Sequence, residues 1–174
     1  MKKIIMAFSF LLAGFCGYAQ SGNLASGSNC TVPAGWSSCN ASCWFSDCCI
    51  VFNPRTSEAG CGCWFGVALC STGPIGSSFN ATGTTGSEAN IKFSFERFNE
   101  LISYLKSIKA ETAGISTSFG SFQAKYPGLT GKVSVSTSDY IDFQQRYQVL
   151  INGLSMDQKL SVSNFIKTKE DAVK

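Results

Sequence analysis

Eight cysteines lie within residues 30–70, at Cys30, Cys39, Cys43, Cys48, Cys49, Cys61, Cys63 and Cys70, and none follows. The same stretch holds all three tryptophans, Trp36, Trp44 and Trp64, but only three charged residues, Asp47, Arg55 and Glu58. A segment this short and this poor in aliphatic side chains can hardly offset its chain entropy by burial alone. Cross-links are the expected solution, each stabilising the fold by about 2–4 kcal/mol through restriction of the unfolded chain. Residues 20–70 are therefore read as a disulfide module in which all eight cysteines are bonded. The spacing leaves on the order of a hundred pairings open. The adjacent Cys48 and Cys49 are expected to bond to separate partners as a structural hub, because a bridge between neighbours is strained.

The ninth cysteine, Cys16, belongs to a different feature. Lys2 and Lys3 precede the apolar run Ile4 to Phe15, and Gly17-Tyr18-Ala19 supplies a small-x-small site. This is the pattern of a signal peptide over residues 1–19, cut between Ala19 and Gln20. The run is short of the roughly 20 apolar residues a membrane span requires. An alternative, lipidation at Cys16, meets bulky Phe15 where a small residue should stand. Cleavage removes Cys16 and leaves an even set of eight, the composition of an exported disulfide protein that is secreted or periplasmic. The full chain carries 14 basic and 11 acidic residues, a net charge of +3. Loss of Lys2 and Lys3 brings it close to neutral. With no Lys/Arg cluster, no nucleic-acid partner is expected, and the mature chain offers no transmembrane segment.

After Cys70 the character of the chain changes. Residues 71–89, rich in Gly, Ser and Thr, read as a linker or long loop. Residues 90–174 read as a helical region. Phe95, Phe98, Leu101, Ile102, Leu105 and Ile108 form one apolar stripe on a helix from Ser94 to Lys109, with Ser94 as N-cap and Phe93 and Phe98 as a hydrophobic staple. A weaker stripe, Ile115, Phe119, Phe122 and Tyr126, is interrupted by Gly114 and Gly120. Lys132 to Ser136 alternates like a short strand. A further helix is expected over residues 138–152, with Tyr140, Phe143, Tyr147, Leu150 and Ile151 inward and Gly153 as its stop. The last begins at the capping box Ser155-Met156-Asp157-Gln158 and directs Leu160, Val162, Phe165 and Ile166 inward. The fold class is α+β: a small disulfide-rich module of loops and short strands, then a small helical bundle or hairpin.

Composition also limits the chemistry. There is no histidine, which excludes Ser-His-Asp and Cys-His catalytic units and any imidazole proton shuttle. Glu96/Glu100 and Asp139/Asp142 have helical spacing, but neighbouring Lys and Arg mark these as solvated helix faces. No nucleotide or phosphate-loop fingerprint is present. Paired C-x2-C ligand motifs are missing, so no metal and no cofactor is expected. No catalytic residue is assigned, and the chain is not expected to be an enzyme. Asn29, Asn40 and Asn80 begin Asn-x-Ser/Thr triplets that a host with the machinery could glycosylate.

Cys43-Trp44-Phe45 recurs as Cys63-Trp64-Phe65. These aromatics, with Trp36, are the candidate binding residues (Trp36, Trp44, Phe45, Trp64 and Phe65), suited to stacking on sugar rings or anchoring a protein. The competing reading packs them on the disulfides as a miniature core. Fragments of known disulfide families are visible. Cys48-Cys49 followed by Cys61-Gly62-Cys63 resembles knottin-type toxins. Cys61-Gly62-Cys63-Trp64-Phe65-Gly66 through Cys70 resembles the end of an EGF-like module, with Val67 replacing an aromatic. Cys30 with Cys39, and Cys43 with Cys48-Cys49, resemble pieces of hevein-type chitin-binding modules. Each covers a fragment, and no residue role is carried over. The expected function is an exported, non-catalytic interaction protein presenting a Trp-rich surface to a glycan or protein. A secreted toxin-like or inhibitor-like effector, and a thiol redox or metal-handling protein, are the alternatives.

Overall fold

The computed structural model describes residues 30–76, 89–128 and 130–172. The expected signal segment and its Cys16, Asn29, Asn80, and residues 77–88 of the expected linker lie outside them. Six strands and four helices follow in chain order: β1 (Ser37–Ser42), β2 (Ser46–Phe52), β3 (Ser57–Trp64), β4 (Val67–Pro74), β5 (Ala89–Phe93), α1 (Phe95–Ser107), α2 (Ala113–Ala124), β6 (Val133–Val135), α3 (Thr137–Gly153) and α4 (Met156–Asp171). The architecture is α+β, with antiparallel strands in the disulfide-dense part and helices after it.

Four strands make one antiparallel sheet in the order β1-β2-β5-β6, and β3-β4 form a separate hairpin. β2 is buried from Ser46 to Val51, so it is enclosed on both faces rather than alternating in and out. The bridges explain how so small a structure closes over it. Cys43–Cys63 and Cys48–Cys70 fasten the four-stranded sheet to the β3-β4 hairpin, and Cys30–Cys49 fastens the segment before β1 to β2. Cys48 and Cys49 thus bond to separate partners, as a hub. Cys39 and Cys61 carry free thiols here, which leaves six of the eight expected cysteines bridged.

The helices form where the local signals place them. Ser94 Oγ accepts from the Arg97 amide at 3.4 Å, and the Phe93 and Phe98 rings of the staple are 5.9 Å apart. At α4 both halves of the capping box are made: Gln158 N–H donates to Ser155 Oγ at 3.2 Å, and Ser155 N–H donates to Gln158 Oε1 at 3.0 Å. The weak stripe at Ile115, Phe119 and Phe122 is the buried face of α2. α3 starts one residue earlier than expected, at Thr137, because Ser136 supplies the cap.

Three expectations on elements are corrected. Leu160 is exposed (63%): α4 turns Val162 and Ile166 inward, and at 100° per residue Leu160 lies on the far side from Val162. Strand pairing continues through β4 to Pro74, past the residue where a linker was expected to start. Between that segment and α1 lies β5, whose Ile91 and Phe93 alternate inward and complete the pairing of β2.

The two sequence halves share one hydrophobic core. Its buried residues run from Ala41 and Phe45 through Phe93, Phe98 and Phe143 to Ile166. Phe45, fully buried, is its aromatic centre. Its ring meets Phe93 at 5.7 Å, Phe98 at 5.3 Å, Phe143 at 6.4 Å and Tyr147 at 5.8 Å, all edge-on. The edge-to-face geometry brings the positive ring edge to the negative ring face.

Candidate functional site

The hairpin β3-β4 turns through Phe65 and Gly66, both with positive φ (46° and 79°). Two left-handed residues in succession give a tight turn that matches the twist of the flanking strands. Glycine suits the second position. At the first, a phenylalanine is unusual and strained, and surrounding contacts hold it. The Tyr147 hydroxyl on α3 donates to Phe65 O at 2.9 Å. Phe45 N–H donates to Gly66 O at 3.3 Å. A Cβ at Gly66 would stand 2.7 Å from the Phe45 ring, so the turn lies directly on the aromatic centre of the core.

This support holds Trp64 and Phe65 half-buried at the surface. Their rings are 5.2 Å apart and edge-on, and Trp64 lies 5.9 Å from Tyr147. They line a recess of about 400 Å³ whose opposite wall is α4, with Ser163, Lys167 and Glu170. Glu170 is anchored there: its Oε1 accepts from Trp44 N–H at 3.2 Å. The recess combines an aromatic wall with a hydroxyl, an ammonium and a carboxylate, enough to orient a small polar ligand.

The five aromatics of the sequence analysis separate by burial. Trp44 (3% exposed) and Phe45 (0%) belong to the core, which corrects their place in a binding surface. The Cys43-Trp44-Phe45 backbone is fastened by the helical half: Arg97 Nη1 donates to Trp44 O at 2.7 Å, and Lys132 Nζ donates to Cys43 O at 2.7 Å. The second copy, Cys63-Trp64-Phe65, faces the recess, and its Cys63 is bonded to Cys43 of the first. Trp36 is exposed at a turn closed by Trp36 N–H to Pro33 O, 3.1 Å. Asn40 is exposed on β1.

The α4 wall was not found from sequence. Ser163 and Glu170 lie three before and four after the inward Ile166, so the same helical face was legible. Its meeting with residues 64–66, about a hundred positions away in the chain, is a tertiary fact.

Several charged groups elsewhere are taken up in ion pairs. Asp47, buried at the start of β2, accepts from Ser42 Oγ at 2.7 Å and pairs with Lys132. A second recess of about 300 Å³ lies between α2 and α3, but its charges satisfy one another through Lys125–Asp139 and Arg146–Asp142. The Lys125 ammonium, with hydrogen bonds from Ser136 and Tyr126, holds the Asp139 carboxyl below its ordinary range. Deeper in the molecule, the Tyr140 hydroxyl donates to Ala68 O at 2.9 Å and meets Ser46 Oγ at 2.6 Å. Burial raises the pKa of Tyr140 and Tyr147 above the ordinary phenol value, so both hydroxyls stay protonated and neutral.

Among the described residues, the Sγ atoms of Cys48, Cys61 and Cys70 lie within 4.8 Å of one another. Cys48 and Cys70 are bonded to each other, so this trio is a disulfide beside a thiol rather than a set of thiolate ligands. No helix among the described residues is long and apolar enough to cross a membrane. No protein-family model, curated protein or solved structure matches the chain.

Proposed function

We propose that the chain is an exported binding protein, not an enzyme, that holds a glycan in the recess between the β3-β4 turn and α4. The observation that carries this reading is the strained Phe65-Gly66 turn, which fixes half-buried Trp64 and Phe65 against the polar α4 wall. Strain of this kind persists where surrounding contacts over-determine it and gathers at ligand sites. An aromatic wall suits the C–H face of a sugar ring, while Ser163, Lys167 and Glu170 suit its hydroxyl groups. Export through the signal segment at residues 1–19 agrees with the three bridges, which belong to an oxidising compartment.

The test is a glycan panel probed with the disulfide-intact protein and with Trp64→Ala and Trp36→Ala. Retention of a glycan class by wild type and Trp36→Ala, lost in Trp64→Ala, supports the reading. Capture of glycans that Trp64→Ala leaves unchanged, or no glycan capture at all, overturns it.

A further inference from the structure

We propose that Cys39 and Cys61 are a redox site, which closes into a fourth disulfide between β1 and β3 by exchange with an external small-molecule or protein disulfide. The inference stands apart from the binding recess and rests on the placement of four sulfur atoms. Cys39 lies in β1, opposite Ile50 of β2, and Cys61 lies in β3, opposite Cys70 of β4. The Cys43–Cys63 and Cys48–Cys70 bridges already clamp these two sheets together close by, at Cys63 two residues along β3 and at Cys70 opposite Cys61. The two free thiols are in side-chain hydrogen-bond contact and only half-buried. Both are partly exposed, so a small reagent can reach them. Cys61 Sγ also lies within 4.8 Å of both sulfurs of the closed Cys48–Cys70 bridge.

The shared hydrogen bond assigns the roles. It lowers the Cys39 pKa and raises that of Cys61, which burial raises further. Cys39 is therefore the thiol of the pair that ionises more readily. Since the thiolate is the attacking form, Cys39 attacks the external disulfide R–S–S–R, forming Cys39–S–S–R and expelling RS⁻. Cys61 then loses its proton and attacks Cys39 Sγ, forming Cys39–Cys61 and expelling the second RS⁻. Two protein thiols give up two electrons and two protons, and R–S–S–R becomes two RSH. Closing the pair also removes the Cys61 thiol that stands beside Cys48–Cys70, and so protects that bridge from internal exchange.

The experiment places the native exported protein in glutathione buffers of increasing oxidised fraction, followed by acid quenching, thiol alkylation without reduction, and mapping of linked peptides. The expected result is that Cys39 and Cys61 lose the alkyl label together and appear as one linked pair. Cys30–Cys49, Cys43–Cys63 and Cys48–Cys70 stay unchanged. Cys61→Ser removes the resolving thiol and is expected to accumulate a glutathione adduct on Cys39 that wild type does not retain. Labels retained on both cysteines in oxidising buffer would overturn the proposal. So would a wild-type link from Cys61 to Cys48 or Cys70. If the variant loses its other bridges, the wild-type map decides alone.

Discussion

Phe45 belongs by sequence to the cysteine-rich half and by contact to the helical half, so truncating it asks whether the two fold as one. Its ring is fully buried and meets Phe93, Phe98, Phe143 and Tyr147, all contributed by residues beyond 90. Phe45→Ala removes that burial and leaves a cavity, a change that costs about 3–5 kcal/mol. Each edge-on ring pair lost adds about 0.5–1.5 kcal/mol beyond area alone, which places the effect near the upper end. Against a typical stability of about 5–15 kcal/mol, that is a large share. For a chain of this size it corresponds to a melting temperature lower by about 10–15 °C. The assay is thermal unfolding of the disulfide-intact protein, followed by far-ultraviolet circular dichroism for the helices and tryptophan fluorescence for the strand region. Both transitions should fall together and by the same amount. A helical transition that stays at the wild-type temperature while the fluorescence transition falls would refute the single core.

Lys132→Met leaves Asp47 charged and buried without its cation, and should cost about 3–5 kcal/mol in urea unfolding; a loss under 1 kcal/mol would show the pair to be dispensable. Gly66→Ala combines a left-handed φ with a Cβ placed 2.7 Å from the Phe45 ring, and should destabilise by about 2 kcal/mol or more; an unchanged melting temperature would contradict the turn geometry. The Asp139 pKa is held below its unfolded value of about 3.9, so its ion pair stabilises above that pH and the contribution fades as pH falls through the lower folded value. The stability gap between wild type and Asp139→Asn should be constant from neutral pH to about pH 5 and shrink below about pH 4; a gap that widens with acid would reverse the assignment.

Local chemistry was legible in the sequence. The Ser94 cap, the Phe93–Phe98 staple and the Ser155–Gln158 capping box each depend on residues within five positions, and each is present. The adjacent Cys48 and Cys49 were legible as a hub for the same reason, since bonding them to each other would be strained. What escaped depends on partners far away. The two Cys-Trp-Phe copies are identical in sequence, yet one is buried because Arg97, Lys132 and Glu170 fasten its backbone to the helices. The other is half-exposed because it leads into a hairpin turn. β5 was hidden in a region whose helical periodicity begins only one residue later, and its role as the strand beside β2 is set by pairing with residues about 40 positions away. The recess needed both the β3-β4 turn and α4, so neither half alone could reveal it.

Under the proposed binding at Trp64, the indole resonances of the three tryptophans report on the site directly. Nuclear magnetic resonance of the disulfide-intact protein, titrated with a glycan it captures, should shift the Trp64 indole N–H and the amides of Phe65, Ser163 and Lys167 while Trp36 stays in place. A titration that moves Trp36 and leaves Trp64 unshifted would contradict it.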